Sequence, residues 1–120
     1  MPFLVTVLMA IQAGIAPPPV HAGELTKDDL RAIAVVYAHV YDIDAAHFVK
    51  TIDCESKFDR DAIGKLGETG IVQIYPKYHT EITREQMLNP VWSMEWAAKQ
   101  RKACHQKWWS CYALTAGRPT

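Results

Sequence analysis

Leu30, Ile33, Ala34, Tyr37 and Tyr41 follow one another at steps of three and four, the spacing that lines up one face of a helix. Thr26 precedes that stripe as an N-cap, and Asp29 three residues on closes a capping box. The pattern predicts a helix that ends near Tyr41. Asp44 is the next N-cap, and Ala45, Phe48, Val49, Ile52 and Glu55 fall on a second apolar stripe, which predicts a helix from about Ala45 to Ser56. Lys57 to Thr69 reads as loop, with Gly64, Gly67 and Gly70 at turn positions. Gly70 to Tyr75 is short and rich in β-branched residues, which predicts one strand or extended segment stopped by Pro76. Thr83 to Gln86 is a second capping box, opening a helical turn that ends before Asn89-Pro90. Asn89 then caps a last helix with Pro90 at its first position, and Trp92, Trp96, Lys99 and Ala103 share one face of it. The fold class is therefore mainly α, with one small extended or β element.

The first 22 residues contain no Lys, Arg, Asp or Glu, and Phe3 to Ala16 is interrupted only by Thr6 and Gln12. That run is too short to span a bilayer but suits the apolar core of an export signal, with Val20-His21-Ala22 as a small-residue cleavage site. A positive n-region is missing. Residues 1–22 are thus expected to be a signal peptide or an N-terminal anchor, with a start upstream or a buried helix as the other readings. Residues 23–120 are one domain, long enough for a modest core. The chain ends soon after its last apolar cluster, as a domain cut short at its C-terminus would. Formal net charge is zero, so nothing argues for nucleic acid or an anionic membrane surface, and a neutral partner such as a glycan is expected. Membrane contact is expected only through residues 1–22 if they stay uncleaved, and the domain is expected to act as a monomer.

An exported chain can oxidise its cysteines. Cys104 and Cys111 are close enough in sequence to close a short loop over Trp108 and Trp109, which leaves Cys54 as a small buried hydrophobe. His21, His39, His47, His79 and His105 are scattered, and no His-Glu-x-x-His or paired Cys-x-x-Cys occurs, so neither metal nor cofactor is expected.

Glu55 is the residue with chemistry to explain. It lies at the end of an apolar stripe, where desolvation disfavours the charged carboxylate, and at a helix C-terminus, where the dipole does the same. Both effects favour a proton held at near-neutral pH, as a general acid requires. The bland alternative is a solvated carboxylate at a helix end.

Glu55-Ser56-Lys57-Phe58, then Ala62, then Gly67-Glu68-Thr69-Gly70-Ile71-Val72-Gln73-Ile74-Tyr75-Pro76 resembles the signature of lytic transglycosylase (SLT) domains of the lysozyme-like superfamily. The resemblance covers roughly Phe48 to Tyr112, with its specific part from Glu55 to Pro76. It implies a lysozyme-like helical domain, exported to the periplasm, cell envelope or exterior. It also implies cleavage of the β-1,4 bond between N-acetylmuramic acid and N-acetylglucosamine in peptidoglycan, with a 1,6-anhydromuramoyl product. Glu55 stands at the position of the family's catalytic acid and base.

The resemblance also nominates binding residues. Ser56 follows the acid, with substrate or Glu55 as its partner, or else a backbone group. Gln73 lines the glycan groove in the family, and a polar side chain in so apolar a run must find hydrogen bonds in any case. Tyr75 is placed to stack on a sugar ring or to join the core. Near the C-terminus the family's Ala-Tyr-Asn triplet becomes Cys111-Tyr112-Ala113, so Tyr112 is the candidate for its tyrosine although the Asn is absent. Asp53, Asp59, Asp61 and Glu68 are the nearby acids. Asp53 cannot face the same way as Glu55 on a helix. Glu68, in the Gly67-to-Gly70 turn, is the best rival second acid, with a solvated turn acid as its bland reading. A water-activating Glu68 would make the protein a hydrolytic muramidase. A non-catalytic glycan-binding protein on the same scaffold is the third reading, and Trp108 with Trp109 offer it weak stacking faces.

Overall fold

The structure is a computed structural model that describes residues 24–103. The described chain holds four helices, α1 (Lys27–Val40), α2 (Ala45–Ser56), α3 (Arg84–Leu88) and α4 (Pro90–Lys102). Their starts are those the capping residues predict. Thr26 Oγ1 accepts from Asp29 N–H while Asp29 accepts from Thr26 N–H, and Thr83 with Gln86 forms the same reciprocal box. Asp44 accepts from His47 N–H at the head of α2, and Asn89 accepts from Val91 and Trp92 at the head of α4.

Helix α1 packs on both α2 and α4. Its Leu30, Ala34 and Ala38 meet Phe48 and Ile52 of α2 and Met94, Ala97 and Ala98 of α4 in the core. Trp92 and Trp96 pack against that core from its flank, with ring centroids 6.4 Å apart. The deeply buried face of α4 is another one: Pro90, Ser93, Met94, Ala97, Ala98 and Arg101. Small residues win that face because they let the helix backbone approach its neighbours closely.

The segment Gly70 to Tyr75 is not a strand. Gly70 and Gln73 both take left-handed backbone, at φ +87° and +58°, and fold residues 70–73 into a turn. Thr69 and Ile74, on either side of it, exchange both backbone hydrogen bonds (2.8 and 3.0 Å). The β element is this pairing plus a second bridge from Thr69 to Ile63. Ile71, Val72 and Ile74 are apolar because they enter the core, not because they continue a sheet.

Two more left-handed residues, Lys57 and Phe58, end α2. Such a conformation costs roughly 1–2 kcal/mol per non-glycine residue. Full burial of the Phe58 ring, beneath the Arg31 guanidinium at 4.9 Å, contributes an offsetting ~1.5–3 kcal/mol.

Cys54 is exposed and disulfide-bonded, which corrects the expectation of a small buried hydrophobe. At position 54 the helix has already turned away from the Phe48–Ile52 stripe, so the side chain leaves the core. The expected leader at residues 1–22, the Cys104–Cys111 loop with Trp108 and Trp109, Tyr112 and the C-terminal end all lie outside the described residues. No helix among the described residues is long and apolar enough to cross a membrane.

Candidate active site

Phe48, Ile52 and Glu55 do share one face of α2, and together they line a pocket. Thr51 from the same helix, Val72 from the turn, and Ala97 and Arg101 from α4 complete it. Glu55 is half-buried there. Asp53 points elsewhere, with a carboxylate oxygen 3.4 Å from Arg31 Nη2 on α1. The helical phase that separates residues two apart thus sends one carboxylate to an ion pair and the other to the pocket.

The turn carrying Val72 is tied to α2 by Ser56. Its hydroxyl donates to the Ile71 carbonyl at 2.6 Å, with a longer approach to Ile52 O in its own helix. Gln73 fastens the same turn from the other end, its Nε2 donating to Gly70 O at 2.9 Å and to Ala62 O at 3.1 Å. Both side chains therefore build the wall facing Glu55 through backbone acceptors.

Glu68 is folded onto its own loop. One carboxylate oxygen accepts from Leu66 N–H at 2.7 Å. A β-carbon on Gly64 would meet that carboxyl at 2.8 Å and Gln73 Oε1 at 2.9 Å, so the bare glycine is what lets the two side chains converge. Tyr75, just past the turn, is half-buried and packs its ring 4.9 Å from that of Tyr78, which is exposed.

Arg101 is a pocket residue that sequence reasoning passes over. It is 9% exposed, its Nη1 lies 3.1 Å from His47 Nδ1, and its guanidinium sits 5.5 Å over the Phe48 ring. The signal that could have found it is position: Arg101 follows Ser93 and Ala97 at four-residue steps, so it falls on the small-residue face that the core takes.

The pocket can present one carboxyl to a bound molecule across an apolar wall, with a buried cation in its lining. A protonated Glu55 there can donate to an ether oxygen, and an ionised one can accept a hydroxyl proton. No curated protein and no solved structure matches the chain. The family model described as the transglycosylase SLT domain matches residues 34–116, a span that contains Glu55, its pocket and the whole Gly67–Pro76 motif. With a mainly helical build around a small bridged β element, and with that match over more than half of its length, the chain belongs to the transglycosylase SLT domain family.

Proposed function

We propose that the protein is a peptidoglycan lytic transglycosylase that uses Glu55 as its single acid and base. The observation that carries this reading is the pocket, one half-buried carboxyl among Phe48, Ile52, Val72 and Ala97, and the motif from Glu55 to Pro76, whose resemblance to the family's signature supports Glu55 as the acid. Protonated Glu55 donates to the oxygen linking N-acetylmuramic acid to N-acetylglucosamine, the bond from C1 to that oxygen breaks, and positive charge develops at C1. The carboxylate so formed then takes the proton of the muramoyl 6-hydroxyl while O6 attacks C1. A 1,6-anhydro ring closes, Glu55 regains its proton and no water is consumed.

A hydrolytic muramidase needs a second carboxylate free to activate water or to attack. Glu68 spends one carboxylate oxygen on Leu66 N–H within its own loop, which favours transglycosylation. Ser56 and Gln73 act by holding the turn that forms one wall, and Tyr75 with Tyr78 offers aromatic faces for sugar rings beyond it. The Cys54 disulfide supports an exported protein, since such bonds persist in oxidising compartments.

The test is mass spectrometry of products from purified peptidoglycan, with Glu55→Gln beside the wild type. Anhydromuramoyl ends are expected, and the substitution should lower their yield by about 10²–10⁴-fold, the worth of a positioned acid–base group. Reducing ends instead would give the reaction to water and return attention to Glu68. A folded protein that binds peptidoglycan and makes no product would be a glycan-binding module.

A further inference from the structure

Resting on the reading of Glu55 as the acid of the site, we propose that Arg101 is a positioning residue for Glu55. It supplies a fixed positive charge in the pocket where that carboxyl titrates, and it stabilises the carboxylate between the two proton transfers.

The geometry begins with burial. Arg101 is nine-tenths buried, starts on α4 and reaches α2, where it meets His47 Nδ1 and covers the Phe48 ring. A guanidinium has donors only and stays charged, so His47 Nδ1 must be the acceptor, and the ring carries its proton on Nε2. The positive charge on Arg101 is therefore permanent. His47, Thr51 and Glu55 succeed each other at four-residue steps, so Arg101's partner and the acid stand on one stripe of α2. Helical side chains lean toward the helix N-terminus, which tips Glu55 back toward Thr51, and Thr51 and Arg101 line the same pocket.

Arg101 and Glu55 line the same pocket, and four of its other walls are Phe48, Ile52, Val72 and Ala97. Across an apolar lining, charge is screened less than across bulk water, so a guanidinium in the same pocket is felt by the carboxyl. Among the described residues, several other charged groups of the surrounding elements are engaged elsewhere. Asp53 pairs with Arg31 of α1, Glu68 is turned onto Leu66 N–H, and Glu95 of α4 accepts from Tyr41. Asp44 sits at the far end of α2 on His47 N–H. A nearby cation favours the ionised carboxyl, so it opposes the desolvation and the helix-end effect that favour the proton. An acid that must also serve as the base needs both.

The experiment follows the Glu55 side-chain carbon by ¹³C NMR through a pH titration of wild type, Arg101→Met and Arg101→Lys, beside pH–rate profiles on peptidoglycan. Arg101→Met should raise the Glu55 midpoint by about one pH unit, with the alkaline limb of the rate profile, where the required proton is lost, moving the same way. Arg101→Lys, which keeps the charge, should restore most of the wild-type midpoint. An unchanged midpoint in folded Arg101→Met overturns the proposal and leaves Arg101 a packing residue. Where Arg101→Met does not fold, a Lys variant titrating at an unshifted midpoint while Arg101→Gln titrates higher supports the proposal equally, and equal midpoints in both overturn it. Full cleavage by Glu55→Gln overturns the underlying reading instead, whatever the arginine variants do.

Discussion

Gly70 and Gly67 flank one short stretch of the motif, both at positive φ (+87° and +89°), yet they are held for different reasons. A β-carbon at Gly70 would collide with the Met87 carbonyl at the end of α3, whereas one at Gly67 would enter open space. Gly67→Ala should therefore cost about 1–2 kcal/mol, the left-handed penalty alone. Gly70→Ala adds overpacking against backbone and should reach about 2–5 kcal/mol. Urea denaturation of the two variants checks this, and equal losses would mean that the turn does not seat on α3 as described. Both glycines can be read as turn positions from spacing alone, because a turn is a local property. What each one touches cannot, since Met87 is distant in sequence. Helical phase alone puts Arg101 on the buried face of α4 and Cys54 off the Phe48–Ile52 stripe, but that Arg101 meets His47 is set by an element far along the chain.

The helices are the legible part, because their caps are written in residues three apart: Thr26 with Asp29, Thr83 with Gln86, and the side chains of Asp44 and Asn89. The Ile71–Ile74 run imitates a strand because burial and β-propensity select the same residue types. How the helices join is not legible at all. The end of α1 meets α4 through the Tyr41 hydroxyl, which donates to Glu95 Oε2 at 2.7 Å. That bond to a carboxylate is the main reason the Tyr41 hydroxyl is pushed up to about 12, with burial and the Glu95 charge adding to it. Burial and the same Glu95 charge also raise Tyr37, on the same helix. A raised phenol stabilises the fold fully below its unfolded value near 10. The contribution is lost as pH climbs from there through about 12. Thermal melts from pH 8 to 12 should show wild type losing stability over that window faster than Tyr41→Phe. Parallel curves would show that the Tyr41–Glu95 bond does not join the helices in solution.

At the scale of the whole molecule, the Cys54 disulfide places a covalent tie on the residue next to the proposed acid, at the C-terminal end of α2. The α2 backbone is already fixed there by Ser56 on Ile71 O and by the buried Phe58. The tie therefore acts mainly on the rest of the chain, by limiting how far an unfolded chain can expand away from α2. Its loss should lower stability by roughly 2–4 kcal/mol while leaving the pocket wall of Phe48, Ile52 and Val72 in place. Cys54→Ser should accordingly melt earlier than wild type, match wild type in excess reductant, and lose no further stability when reductant is added to it. Activity well below the melt should survive in the variant, because the Glu55 stripe is held by core packing. A Cys54→Ser protein that melts with oxidised wild type would remove the disulfide from the account of stability, and with it one support for an exported enzyme.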